Sequence, residues 1–333
     1  MNNALPMLAA SLLFQVLFVS AFPSPAARAS DGETETSDRV TLLPRFASGQ
    51  SVTYDVGYSA AANTITESSV AVPMAPTGGK TETHLLLRAE VQGVGVDAGM
   101  PFARLRTYLL DPDSLAGANA GSSAASSADA RTSKMVEFTL FQNGQVNDLV
   151  GLDALTADEQ AAWREWLERF GVEGALPNRG VKPGEKWHTE EPIPNALLSG
   201  LSWDKESQYV DDEPCAAALS SSPGDASSAV GPQEICAVIL TTATLKQRSA
   251  QKDATPEDYK LHDLRTSGIA RGKNEVITYV SLKTGLVVRA TEDAHQSMSV
   301  TVAKSDGTNR VHYTVNADSH AQVLLVAATP SRP

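Results

Sequence analysis

Positive charge is in short supply in this chain. Twenty-seven Lys and Arg stand against 39 Asp and Glu, a formal charge of −12. With no cationic field to offer, it is a poor partner for nucleic acid or an anionic membrane surface. Aromatic residues are only 6% of the total, so the core has to be mainly aliphatic. Two cysteines are too few for a disulfide-built scaffold. The signatures of common chemistries are also missing. None of the six histidines (His84, His188, His262, His295, His312, His320) forms H-x-x-x-H or H-E-x-x-H, so a zinc site could arise only by tertiary convergence. There is no G-x-S-x-G, P-loop or EF-hand pattern, and Gly93-Val94-Gly95 lacks the third glycine of a dinucleotide turn. The acidic run Asp211-Asp212-Glu213 borders a loop and reads as solvated rather than calcium-binding.

One coincidence needs weighing. Ser202-x-x-Lys205 and Lys283-Thr284-Gly285 copy two of the three elements of penicillin-binding enzymes. That chemistry needs the serine and lysine one helical turn apart, whereas Ser202 sits in an extended-looking stretch with no S-x-N after it. Lys283-Thr284-Gly285 is better read as a hairpin turn. No catalytic, cofactor-binding or metal-ligating set emerges, and no cofactor is expected.

What is present is an ordinary globular composition, 42% hydrophobic and 20% charged over 333 residues, enough for one large domain or two medium ones. Residues 1–29 have the form of an export signal. An apolar stretch from Met7 to Phe22 precedes Pro23, Pro25 and the A-x-A site Ala27-Arg28-Ala29. The stretch is short for a stable span of a roughly 30 Å hydrocarbon core. Met1–Pro6 has no Lys or Arg, so either the amino terminus supplies the positive charge or the true start lies upstream; an uncleaved N-terminal anchor is the alternative. No cysteine follows the run, which removes a lipid-acylation site. The expectation is export to the periplasm or medium, with no stable membrane span after cleavage.

In an oxidising compartment an isolated cysteine pair is most simply a disulfide, so Cys215 and Cys236 are expected to be bridged. The alternative, a catalytic or metal-binding thiol, lacks C-x-x-C spacing or a histidine nearby in sequence. The bridge would tie the base of a low-complexity insertion at 216–235. A second such insertion spans 111–133, and 30–38 is an acidic flexible tail.

The remainder, 39–333, is dominated by period-two alternation. Leu85, Leu87, Ala89 and Val91 face one way; Val136, Phe138 and Leu140 follow suit before Asn143-Gly144. Late in the chain the strand-like segments are 274–282, 286–291, Met298–Val302, Val311–Val315 and 323–328. Alternation joined by short turns predicts a mainly β fold: antiparallel meanders forming a curved sheet or open barrel with one buried face. One docked amphipathic helix is predicted near 156–170. Thr156 and Glu159 form a capping box and Gly171 a stop. Trp163, Trp166, Leu167 and Phe170 share a face, with Glu165 and Arg169 paired on the outer side. That aromatic face is read as docking on the sheet rather than clamping a ligand. A short echo, F-A-S-G-Q-S-V at 46–52 and V-K-P-G-E-K-W at 181–187, suggests one β-rich domain in two halves, 39–180 and 181–333.

Taken together, GQSVTYDV, FTLFQNGQV, P-G-E-K-W and the block from Ser267 to Val302 resemble a group of bacterial secreted proteins and lipoproteins of unknown function. Gly285 and Met298 match its late-block positions. The resemblance implies an envelope location and transfers no catalytic residue; the missing lipobox cysteine departs from it. Two function classes follow. One is a non-catalytic envelope protein holding an apolar small molecule or a partner protein, in an apolar cavity with few titratable groups. The other is a secreted hydrolase with acids, bases and histidines clustered from scattered positions. The A-x-A site predicts a mature chain beginning at Ser30. Intact mass of the protein recovered from periplasm or medium checks this, and a mass retaining residues 1–29 overturns it.

Overall fold

The computed structural model describes residues 39–69, 76–110, 134–142, 145–170, 180–193, 196–219, 230–231 and 233–329. Their alternation is realised as eleven strands: β1 Ser51–Ser68, β2 Thr77–Asp97, β3 Met100–Leu110, β4 Met135–Phe141, β5 Val146–Val150, β6 Lys186–Pro192, β7 Leu201–Pro214, β8 Ile235–Gln247, β9 Leu264–Ser281, β10 Val287–Lys304 and β11 Val311–Thr329. All lie in one antiparallel sheet of order β5-β4-β3-β2-β1-β11-β10-β9-β8-β7-β6, open at β5 and β6. Among the described residues three α-helices accompany it: α1 Ala157–Phe170, α2 Cys215–Leu219 and α3 Glu257–Leu261. The fold is mainly β, an open meander and not a closed barrel. The insertion at 111–133 and the turn Asn143-Gly144 lie outside the described residues.

The chain's two meanders meet at its first and last strands. β1 pairs with β11 from Ser51↔Thr329 to Ser68↔Val311, with one bulge after Thr53. A strap before β1 ties the two halves elsewhere, just before β6 and at the β9–β10 turn. Val40 pairs with Val181, Arg39 makes a two-pronged ion pair with Glu185 (2.7 and 2.9 Å), and the Arg45 amide donates to the Thr284 carbonyl. Gly285 closes the β9–β10 hairpin at φ +69, and a Cβ there would meet the Leu43 carbonyl oxygen at 2.0 Å. Only glycine fits this approach.

The short sequence echo has a structural counterpart. Gly49 and Gly184 both have positive φ. The Gly49 and Gly184 amides donate to Val91 and Tyr209, whose own amides donate back to Gln50 and Glu185. The Gln50 and Glu185 side chains accept from the amides of Ala47 and Lys182. Bulges follow at Val91/Gly93 and Tyr209/Asp211. The same turn thus opens β1 and β6.

The buried face carries two apolar clusters at opposite ends of the long strands. The larger holds Tyr54, Val56, Leu87, Leu105, Phe138, Val288 and Val323 together with Trp163 and Trp166. Helix α1 packs on β1, β2, β10 and β11. Its Trp163 indole donates to Thr107 on β3 and lies edge-on to Phe138 of β4, with ring centroids 5.5 Å apart. Six neighbouring strands at roughly 4.8 Å spacing span about 24 Å, more than twice the roughly 10 Å diameter of a helix. All six can reach α1 only because the sheet curves around it. The capping box forms as its residues dictate: Glu159 accepts from the Thr156 amide (2.7 Å) and Thr156 Oγ1 from the Glu159 amide (3.3 Å). Burial pushes the Glu159 carboxyl upward, but Lys134 and Thr156 outweigh it and hold it below the usual range.

Four expectations change. The late strands are continuous 18-residue elements, β9 and β10, where the alternation had suggested shorter pieces, because the middle of the buried face carries Asn274, Glu292 and Gln296 instead of apolar residues. The late alternation offers Met298, Val300, Val302, Val311, Tyr313 and Val315 as one face for the aromatic helix to cover; they do share that face, but the helix does not cover them. All but Val311 pack in the second cluster with Leu197, Leu198, Leu201 and Tyr259. Glu165 is 3% exposed and not on an outer surface, since a helix seated in a trough is walled on both flanks. The side chains of 168–170 lie outside the described residues. Finally, 216–235 is not wholly loop: α2 buries Ala218 and Leu219 against the larger cluster.

Cys215 opens α2 and Cys236 lies in β8. Their sulfurs are at disulfide distance, with Cα atoms 5.0 Å apart, and both residues are fully buried. Two predictions follow from this packing. Trp166→Ala should lower the unfolding free energy by about 3–5 kcal/mol in urea titration, and a loss under about 1 kcal/mol would show that α1 is not part of the core. Non-reducing peptide mapping should find Cys215 joined to Cys236, and replacing both by alanine should cost about 3 kcal/mol; full alkylation of the native, unreduced protein would contradict the bridge.

Candidate functional site

The middle of the inner face, between the two clusters, is polar. The Asn274 amide donates to Glu292, which is only 9% exposed. Ser207 and Thr241 hydroxyls bond at 2.8 Å, and Lys205 pairs with Glu191 at 2.7 Å. These contacts run between neighbouring strands, while Asn274 Oδ1 is buried with no hydrogen-bond partner among the described residues. The apolar ends are occupied by α1, α2 and the segment 196–201.

The outer face behaves differently. A shallow groove of about 670 Å³ crosses its middle, from Ser59, Ala61 and Lys80 to Thr242 and Thr244. Strand register explains its lining. Side chains directly opposite in neighbouring strands share a face, so the pairings line up in rows. One row reads Lys80, Ala61, Asp318, His295, Lys273, Thr244. The next reads Glu82, Ser59, His320, Asp293, Glu275, Thr242. The first has cations at Lys80 and Lys273 and one anion, Asp318, which contacts His295; the second has anions at Glu82, Asp293 and Glu275.

Each row is bridged from β10 to β11 by one member of a reciprocal arrangement. β10 carries Asp293-Ala294-His295 and β11 carries Asp318-Ser319-His320. The antiparallel register sets each aspartate opposite the other strand's histidine. His295 Nδ1 lies 2.6 Å from Asp318 Oδ1, and His320 Nδ1 lies 2.8 Å from Asp293 Oδ1. These side chains are 51–80% exposed, so their pairing adds little to stability. The repeated D-x-H on two successive strands was the available sequence signal. Nothing local sets the register that turns two D-x-H triplets into two cross-strand pairs.

Two further histidines pair on the same face: His84 with Asp55, and His188 with Asp204. The hydrogen bond from Lys246 outweighs desolvation and holds the Asp204 carboxyl below its usual range. His312, by contrast, contacts only the hydroxyls of Ser299, Thr301 and Thr314. No three His, Cys, Asp or Glu converge as a metal site among the described residues, nor is any described helix long and apolar enough to cross a membrane. Tyr54 and Tyr209 are raised well above the usual phenol range, both chiefly by burial, Tyr209 also by its bond to Asp212. They are core groups away from the groove.

The residues singled out in the sequence are dispersed. Cys215 and Cys236 sit in the larger cluster. Ser202 and Lys205 are both on strand β7, where Ser202 donates to Glu190 (2.7 Å) and Lys205 pairs with Glu191. Lys283-Thr284-Gly285 is the β9–β10 turn.

No family model matches the chain, and no curated protein does. Among solved structures it has likenesses to a candidate lipoprotein from Parabacteroides distasonis ATCC 8503 (7% identity, TM-score 0.29, covering 88% of this chain and 100% of that one), to a porin mutant from Rh. blastica (10%, 0.16, 81% and 99%) and to Ail, the attachment invasion locus protein of Yersinia pestis (6%, 0.10, 84% and 100%). Likenesses this distant leave the function to be argued from the chain's own residues.

Proposed function

We propose that this is an exported, non-catalytic protein of the bacterial envelope that binds a small polar ligand in the outer-face groove. One observation carries the reading: two adjacent rows of charged side chains cross six strands at a groove, in exposed positions where they contribute little to folding. The leader at 1–29 supports export. The apolar-guest form of the reading gives way to this one, because the apolar side chains of the inner face are covered by α1, α2 and the segment 196–201.

A hydrolase is the second reading, favoured by a specific register. Ser59, His320 and Asp293 are successive cross-strand partners, and a neutral histidine donating through Nδ1 keeps Nε2 as an acceptor. Two features weigh against it. Asp293 is 80% exposed, whereas the orienting acid of a triad works buried. Ser59 also lies on a strand paired on both sides, which engages the backbone N–H groups an oxyanion would need.

Native mass spectrometry of protein from its own host should reveal a co-purifying polar small molecule that is lost from an Asp293→Asn/Asp318→Asn variant with unchanged melting temperature. Retention of the guest by the variant, or a guest that is a lipid, overturns the groove reading. Turnover of any ester, amide or glycoside substrate that Ser59→Ala abolishes would replace it with the hydrolase.

A further inference from the structure

Resting on the groove reading, we infer that the ligand is a zwitterion, carrying a primary ammonium group and a carboxylate or phosphate. The inference starts from the unequal charge of the two rows. Along β9, Lys273 and Glu275 are both exposed, and neither side chain has a hydrogen bond or ion pair among the described residues. They stand two residues apart on one face, about 7 Å along the strand. Each is flanked by its own kind of neighbour. Glu275 faces Asp293 directly across the β9–β10 pair, Asp293 being held from its other side by His320, and like charges in register repel each other unless a cation lies between them. Lys273 faces His295, which is itself turned to Asp318.

Other charges near the groove do not cancel this polarity. From β2, Lys80 lies at the far end of the cationic row and pairs with Glu82 of the anionic row at 3.2 Å, both more than 70% exposed. From β1 only the uncharged Ser59, Ala60 and Ala61 line the groove, and from β8 only Thr242, Ala243 and Thr244. The β9 end of the groove therefore presents an anionic point formed by Glu275 and Asp293 beside a cationic point at Lys273. An ammonium group between the two carboxylates would relieve their repulsion, and an anionic group about 5–7 Å away would reach Lys273. A ligand with one charge satisfies only one point and is repelled by the other. This geometry selects a linear ω-amino acid, a short peptide or an amino-alcohol phosphate over a sugar, a diamine or a dicarboxylate.

A matched set of five-carbon probes separates the charges: δ-aminovalerate, pentylamine and valerate, with sorbitol as a neutral polyol. Isothermal titration and amide chemical-shift mapping of the full mature chain supply affinity and place. δ-Aminovalerate should bind at least tenfold more tightly than pentylamine or valerate, with shifts confined to β9, β10 and β11. Glu275→Gln should abolish its advantage over valerate, and Lys273→Gln its advantage over pentylamine. Both positions are exposed, so the melting temperature of each variant should stay within a few degrees of the parent. Equal binding of a single-charge probe or of sorbitol at the same amides overturns the zwitterion assignment and leaves the groove as a binding site. No shift at the groove with any of the four probes overturns both.

Discussion

The hydrogen-bonded pairing of β1 with β11 is the constraint on which everything else in this molecule depends. Each meander runs outward from it, β1 to β5 on one side and β11 back to β6 on the other, so the ends of the described chain meet at the centre of the sheet and the middle of the chain forms its two edges. The pairing is the most distant in sequence that a two-half chain can make. Loop closure makes it slow to form; the strap at Arg39–Arg45 joins the two halves separately, just before β6 and at the β9–β10 turn. Shifting that register by one residue would turn every inward side chain of β1 outward. It would expose Tyr54, Val56 and Tyr58, and it would dismantle both rows of the groove in the same step.

From that pairing the distribution of function over the two faces follows. The connection between the edge strands passes through α1, and the sheet wraps this helix closely enough for Trp163 to touch β3 and β4 while the helix packs on β10. The inner face is thereby spent on folding. Only the outer face, where alternation places hydroxyls, carboxylates, ammonium groups and imidazoles, is left for solvent and ligands. The reciprocal Asp–His pairs on β10 and β11 add little stability where they stand. Their position beside an unengaged Lys273 and Glu275 is what makes the groove the natural place for recognition.

The two apolar clusters differ in kind. The first is built around indole rings and a buried cysteine pair, and it fixes the curvature. The second is aliphatic with tyrosines at its rim, and it is closed by irregular chain from 196 to 201 together with α3. Between them lies the Asn274–Glu292 contact, a polar break in an otherwise apolar face. It accounts for the way the late strands look interrupted in sequence although they are continuous in space.

By itself the sequence determined the class of the fold, the place and capping of α1, the turn at Gly285 and the buried alternation of Leu85, Leu87, Ala89 and Val91. Each of these is set by neighbours within a few residues: a period of two, a Thr–Glu spacing of three, a glycine free to take positive φ. The near-identical turns at Gly49 and Gly184 belong to the same group. Only the tertiary structure decided the lengths of β9 and β10, the burial of Glu165 and which apolar cluster the aromatic helix covers. The groove belongs there too. Its D-x-H triplets, Lys273 and Glu275 are plain in the sequence, but they become a site only when the register of six strands brings residues 59, 275, 293 and 320 into one row. No local pattern carries that register, because it is fixed by the sum of inward packing along the whole sheet.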